Sequence, residues 1–319
     1  MMKNLVFCTC LLVVSPIPAE DEIFTDPSNA GPDYAVQREY SGKLSNDGKS
    51  TEFGLQVIAL GGGEFDGVGY IGGLPGDGWN LKKKIHANGK TINGETVLKS
   101  DSGTATIKEG TVIIEADGVV LGRLKKVVRE SSTLGARAPE NALVLFDGTT
   151  AENFEDGKIV NDKLLAANCA TKEKFGDHTL HLEFRTPFKP KARGQDRGNS
   201  GVYIQSRYEC QVLDSFGLNG ENNECGGIYQ IGKPSVNMCF PPLTWQTYDI
   251  DFTAARWQDG KKVKNARVTI RHNGVVIHDD LELPNNTPGK HSKADSPDGI
   301  YLQGHGNPVV YRNIWLVKK

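Results

Sequence analysis

The chain has 319 residues, with 37 Lys and Arg against 39 Asp and Glu, for a net charge of −2. That balance argues against a nucleic-acid partner, which calls for a basic excess or stripe, and a hydrophobic share of 38% argues against disorder. Glycine is the outlier, 37 of 319 residues against a typical share of about 7%, and so much of it without a collagen period points to the many tight turns of an all-β fold. In chain order, Lys3 precedes an apolar run over residues 5–14, and Ser15-Pro16-Ile17-Pro18-Ala19 leads into Glu20-Asp21-Glu22. This succession predicts a signal peptide over 1–19, cleaved after Ala19, and a secreted or periplasmic protein. The run is too short to cross a hydrocarbon core of about 30 Å, so no membrane span is expected. Phe7 and Thr9 stand before Cys8 and Cys10 where a lipid-modification site wants a small residue, so no lipid anchor is expected either.

Residues 20–129 read as a small glycine-rich β domain. A strand over 54–60 runs into Gly61-Gly62-Gly63, Asn88-Gly89 and Asn93-Gly94 mark turns, and runs at 111–115 and 119–121 flank Asp117-Gly118, a strong hairpin signal. No window sustains a 3.6-residue apolar period, so helices are few. Gly67-Val68-Gly69-Tyr70-Ile71-Gly72 matches a dinucleotide fingerprint letter for letter. That fingerprint needs a helix to open on the run, and Gly73-Leu74-Pro75-Gly76-Asp77-Gly78 follows instead. No nucleotide cofactor is expected. Residues 130–141 are polar and without β period, as linkers are.

Residues 142–319 form a second unit, with strands predicted at 179–185, 200–206, 208–213, 246–252, 266–272, 275–279, 299–303 and 309–317. Asn273-Gly274 supplies a hairpin turn. Many strands without helical interludes predict a two-sheet β-sandwich or jelly roll. Alternation places Val202, Ile204, Cys210 and Val212 on one face, a core face, and Tyr203, Gln205, Arg207, Glu209 and Gln211 on the other. The second face is polar and aromatic and suits sugar hydroxyls, although a plain solvated face reads equally well from alternation alone. Glu209 and Asp214 resemble the acidic strand of jelly-roll glucanases, but Gln211 replaces its central acid and Asp214 falls on the opposite face, which disfavours a twin-carboxylate glycosidase. His178 and His181 face opposite ways and cannot chelate together. His305 lies in a loop beside Gln303, where with Glu209, Asp214 or Glu224 it would complete a cation site. Cys169, Cys210, Cys225 and Cys239 permit three disulfide pairings or buried thiols equally, and lack zinc-site spacing.

Six ordered motifs carry a family resemblance: Leu145-Phe146-Asp147-Gly148, Gly198-Asn199-Ser200-Gly201-Val202-Tyr203, the run from Tyr208 to Gly217, Glu224-Cys225-Gly226-Gly227-Ile228-Tyr229, Trp245-Gln246-Thr247-Tyr248-Asp249, and the run from His305 to Trp315. Together, over about residues 141–319, they resemble the 3-keto-disaccharide hydrolase domain, a 3-keto-glucoside 1,2-lyase and 3-keto-2-hydroxyglucal hydratase. The N-terminal unit looks like a module that precedes this domain in secreted bacterial proteins. The resemblance implies a concanavalin A-like jelly roll and glycoside cleavage by elimination and hydration, downstream of a sugar 3-dehydrogenase. Such chemistry wants a base, an acid for the leaving group, and hydrogen-bond donors or a divalent metal ion at the ketone. Glu209, His305 and Arg207 are the candidate catalytic residues, as base or ligand, as proton shuttle or ligand, and as enolate stabiliser. Tyr203, Gln205, Gln211, Arg312 and Asn313 are candidates for binding a small or oligosaccharide substrate, and Asp214 and Glu224 for holding the metal. Trp245 and Trp315 read as core rather than sugar platform. The alternative is a non-catalytic carbohydrate-binding module on the same fold.

Overall fold

The computed structural model describes residues 22–290 and 296–319, so the expected signal peptide lies outside the described residues. After a short helix, α1 (Gly31–Val36), eight strands follow in a meander: β1 (Glu39–Asn46), β2 (Lys49–Gly61), β3 (Glu64–Ile71), β4 (Lys84–Ile92), β5 (Glu95–Ser100), β6 (Gly103–Lys108), β7 (Thr111–Ala116) and β8 (Val119–Val127). Each pairs antiparallel with the next, and β1 pairs with β8, so the small β domain is a closed barrel. Asp47-Gly48, Asn93-Gly94, Glu109-Gly110 and Asp117-Gly118 all have positive φ at both residues, the geometry of two-residue hairpin turns whose twist matches the strands. Asn88-Gly89 is a correction. It lies mid-strand, paired with Lys99 and Leu98, and Gly89 is there because a Cβ would overlap the Val97 carbonyl.

Alternation along β2 puts Phe53, Leu55, Val57 and Ala59 into the barrel core. The dinucleotide-like run is β3 itself, whose inward glycines leave room for larger neighbours. A Cβ on Gly69 would lie 2.6 Å from Phe53 Cζ, and one on Gly67 would lie 2.8 Å from Leu98 Cδ1.

The second unit comprises β9 (Leu143–Phe146), β10 (Phe154–Glu155), β11 (Ile159–Val160), β12 (Leu164–Ala166), β13 (Cys169–Thr171), β14 (His178–Arg185), β15 (Ser200–Ile204), β16 (Tyr208–Val212), β17 (Gln246–Thr253), β18 (Arg256–Gln258), β19 (Lys261–Lys264), β20 (Ala266–His272), β21 (Val275–Leu283), β22 (Tyr301–Leu302) and β23 (Val310–Lys318). A five-stranded sheet ordered β10-β13-β22-β15-β16 faces an eight-stranded one ordered β11-β12-β23-β14-β17-β20-β21, with β9 on β23. Val202, Ile204, Cys210, Val212 and Leu302 from the first meet Leu180, Leu182, Phe184, Ile250, Phe252, Ile270 and Leu316 from the second in one core. This is the jelly-roll sandwich that the alternation predicts. All four described cysteines are free and buried. No helix among the described residues is long and apolar enough to cross a membrane.

Barrel and sandwich pack together through Ile58, Val68 and Tyr70 against Phe216, with Trp79 alongside. Arg129 is held on the barrel by Nε to Glu39 Oε2 and Nη1 to the Pro75 carbonyl, both at 2.7 Å, and lays its guanidinium 5.0 Å from the Phe240 ring of the sandwich.

Candidate active site

The outer face of the five-stranded sheet carries the site. In the β15–β16 hairpin Tyr203 pairs with Glu209 and Gly201 with Gln211, so with Val202 and Cys210 in the core these side chains point outward. Glu209 is 4% exposed. Its Oε2 accepts the Tyr203 hydroxyl at 2.9 Å, and a Cβ on Gly201 would overlap its Oε1, so the carboxyl occupies space that only glycine leaves open. Burial pushes Glu209 up to about 7, against the pull of the Tyr203 hydrogen bond. Burial, and then the charge of Glu209, push the Tyr203 phenol well above its ordinary value. The Tyr203 hydroxyl also lies 2.8 Å from the Pro288 carbonyl. One phenolic proton therefore serves either the ionised carboxylate or that carbonyl.

Around this pair the next strands add groups that alternation in 299–303 signals but does not assign. Gln303 Nε2 donates to the Tyr203 oxygen at 3.4 Å, and Gln303 Oε1 is buried without a hydrogen-bond partner among the described residues. The Tyr301 ring lies 5.6 Å from that of Tyr203, with Lys290 Nζ 4.4 Å from its centroid. Tyr229 donates its backbone N–H to the Glu209 carbonyl at 3.3 Å. Gln211 Nε2 donates to Asn199 Oδ1 at 2.8 Å. Over the hairpin runs the segment after β21, where Thr287 donates its N–H to the Arg207 carbonyl at 2.8 Å and its Oγ1 accepts the Glu209 N–H at 2.9 Å.

The other sequence candidates are dispersed. Gln205 and Ser206 adopt φ of 50° and 51°, so 200–213 is a hairpin with its tip at Gln205, Ser206 and Arg207, not one continuous alternation. Gln205 donates to the Phe175 carbonyl at 2.7 Å, and Arg207 donates to Gln205 Oε1 at 3.3 Å and lies 3.5 Å from Asp298, so both tie the tip to adjoining loops. His305 stands exposed two residues beyond Gln303, in the loop leaving β22. Asp214 accepts from Arg197 Nε at 2.8 Å, and Glu224 Oε2 accepts the N–H groups of Gly220 at 2.6 Å and Glu221 at 3.0 Å. Both line a 370 Å³ cleft between barrel and sandwich. Burial raises Asp214, with Arg197 opposing. Among the described residues no three His, Cys, Asp or Glu side chains converge on one ion position, so the donor set expected for a metal is not assembled.

Arg312 and Asn313 lie on the outer face of the other sheet. There Glu183 accepts from Arg312 Nε at 2.6 Å, Asn313 Nδ2 at 2.9 Å and the Gly135 N–H at 2.6 Å. His181 Nδ1 pairs with Asp249 Oδ1 at 2.6 Å while its ring stacks on Trp315 at 5.0 Å. Burial alone would raise Glu183, but the nearby His181 and hydrogen bonds from Asn313, Gly135 and Arg312 outweigh it and hold the acid at about 2. Burial opposes the His181 charge, but its hydrogen bond to Asp249 and the nearby Glu183 carboxylate prevail and raise it. Thr133, Gly135 and Ala136 cap this cluster, Thr133 donating to Asp249 Oδ2 at 2.6 Å and Ala136 accepting from Asn313 at 3.1 Å. The network seats the linker on the sandwich.

A family model described as the 3-keto-alpha-glucoside-1,2-lyase-like domain matches residues 141–317. The chain belongs to this family. The match takes in the whole 3-keto-alpha-glucoside-1,2-lyase-like sandwich and leaves the barrel outside it, and family membership makes the sandwich a carbohydrate-active domain. Among solved structures, a protein from Parabacteroides distasonis ATCC 8503 described as a "putative glycosyl hydrolase" is 31% identical, with a TM-score of 0.53 over 57% of this chain and 85% of that one. A second protein of the same description and organism is 14% identical, with a TM-score of 0.41 over 60% of this chain and 98% of that one. No curated protein sequence matches the chain.

Proposed function

We propose that the sandwich cleaves 3-keto-glycosides by elimination and hydration, with Glu209 as the base. One observation carries this reading: Glu209 is buried on the polar face and held at about 7 by burial, with Tyr203 alone opposing. A base poised near neutrality matches the removal of a carbon acid's proton. The C3 ketone acidifies the C2 hydrogen, and Glu209 takes that proton while the electron pair moves onto the C3 oxygen as an enolate. Collapse of the enolate breaks the C1–O bond, and the leaving oxygen takes a proton from His305 at the rim. Water then adds its OH to C1 and its proton to C2, so the net change is hydrolysis. Gln303 Oε1, without a partner among the described residues, accepts a sugar hydroxyl, and the half-buried rings of Tyr229 and Tyr301 bound the ring faces.

No step passes through a metal, and a divalent ion stays an expectation of the family resemblance. This reading takes the expected leader over 1–19 as an export signal, so that the reaction runs outside the cytoplasm, and the substrate requires a prior oxidation at C3. The deciding experiment measures aglycone release from 3-keto-glucosides of both anomers and from their unoxidised parents, in deuterated water, with and without chelator. Release from the keto sugars alone, with deuterium entering at C2, supports elimination. Release from the parents points to a conventional glycosidase, and sugar binding without any product to a binding module.

A further inference from the structure

The barrel has a cavity at each end. Its strand ends at Gly62, Gly94 and Gly110 face α1, whose Tyr34 joins the barrel core together with Phe188 of the sandwich. The opposite end opens into a cavity of 480 Å³ lined by Leu44, Phe53, Ile71, Ile85, Ile114 and Leu121. Leu44, Ile85 and Ile114 pack on the barrel core yet stay only half buried, and Ile71 is 43% exposed. Eight-stranded barrels have an interior that side chains fill or that holds one small ligand. Here aliphatic groups that point inward in a closed barrel are left against water, which is unfavourable by about 25 cal/mol per Å² of apolar surface. The volume falls within the range of small-molecule sites. At the rim Asp47 and Lys49 carry opposite charges, beside the hydroxyls of Ser102 and Thr104, so no net charge selects an ionic head.

We infer that the barrel binds an uncharged, largely apolar small molecule in this cavity, independently of the Glu209 site. The probe is N-phenyl-1-naphthylamine, which is uncharged and brightens in apolar surroundings, titrated against the chain from Glu20 onward. Saturable one-to-one enhancement is expected. Ile71→Lys, at a tolerant rim position, should weaken it at least tenfold, and Ile85→Trp should do the same by filling the cavity, while Glu209→Gln leaves it unchanged. Hydrogen exchange of the unmutated chain with and without dye gives a readout that needs no variant, with slowing expected in β3 and β4. No saturable enhancement, equal binding by folded Ile71→Lys and Ile85→Trp, or slowing confined to the sandwich would overturn the inference.

Discussion

The sandwich buries one glutamate on each of its outer faces, and the two differ in supply. Glu183 is ringed by the Gly135 N–H, Asn313 and Arg312, with His181 3.9 Å away, and is held at about 2. Among the described residues Glu209 has a single side-chain donor, Tyr203, and is pushed up to about 7. Burial is the first cause acting on both, so the donors decide the sign. A carboxylate saturated with donors has nothing left to give a substrate and serves structure. One left short of donors stores the cost of its own charge, which a base recovers when it takes a proton. Polarity alone does not distinguish the two faces, for His181, Asp249 and Glu183 look more like catalytic machinery than Glu209 does.

The largest test of that contrast is Glu209→Gln. Loss of a general base should lower kcat on a 3-keto-glucoside about 10²–10⁴-fold with the fold intact by circular dichroism. For the unmutated chain, kcat/KM should rise roughly tenfold per pH unit below about 7 and then level off, because the base works ionised. A pH profile flat through this range would remove Glu209 as the base.

Glu183→Ala should act in the opposite way. It strands Arg312 and His181 beside a buried gap, and breaking such a network costs roughly 3 kcal/mol, read as a lower urea midpoint. Turnover per folded molecule should stay within twofold, since the cluster seats the linker at Ala136 rather than touching substrate. A large kcat loss in folded Glu183→Ala would mean that the two faces are coupled.

What could be read in advance follows from which forces are local. Val202, Ile204, Cys210 and Val212 were placed in the core because one buried face imposes a period of two, and Asp117-Gly118 and Asn273-Gly274 marked hairpins because only that turn chemistry allows φ above zero twice. Closure of the barrel was not legible, because it rests on Glu39 meeting Val127, and a local pattern reads the same in an open sheet. Alternation would send the adjacent Arg312 and Asn313 to opposite faces; both reach Glu183 because Asn313 breaks the period with a φ of 45°, which a local pattern does not show. The donors of Glu183 come from residues 135, 312 and 313, so its low pKa is a property of the tertiary fold. For Glu209 the alternation was sufficient to flag a lone acid on a polar face, whereas Tyr229, Tyr301, Gln303 and the segment at 287–289 needed the structure to bring them to it.

The two glutamates should also titrate stability with opposite signs. Glu209 has a folded value of about 7 above an ordinary 4.5. Below pH 4.5 both states hold its proton and there is no penalty. Between 4.5 and 7 the unfolded chain releases the proton first, so stability falls, levelling at a cost of about 3 kcal/mol. Glu209→Gln removes that fall and should be the more stable protein at pH 8. Glu183 has a folded value of about 2 below 4.5, so its contribution is full above 4.5 and is lost as pH falls toward 2. Urea midpoints from pH 3 to 8 for the unmutated chain, Glu209→Gln and Glu183→Gln would separate the two slopes. Identical slopes in all three would mean that neither carboxyl is perturbed as described.

The smallest expected effect belongs to His305, and it sharpens what the Glu209 face lacks. A base alone generates the enolate, but expelling a sugar or alkyl alkoxide also requires a proton, and Tyr203 is a poor source with its phenol pushed far up. His305 is exposed, two residues past Gln303 in the loop leaving β22, where an imidazole is open to water. His305→Ala should therefore lower kcat about tenfold for an alkyl aglycone, about 1.4 kcal/mol, and leave a nitrophenyl aglycone, which departs without a proton, within twofold. That dependence on the leaving group separates an acid from a residue that only shapes the loop, whose loss would slow both substrates alike. Equal slowing would return the acid role to another group on this face and leave Glu209 as the one titrating side chain the mechanism uses.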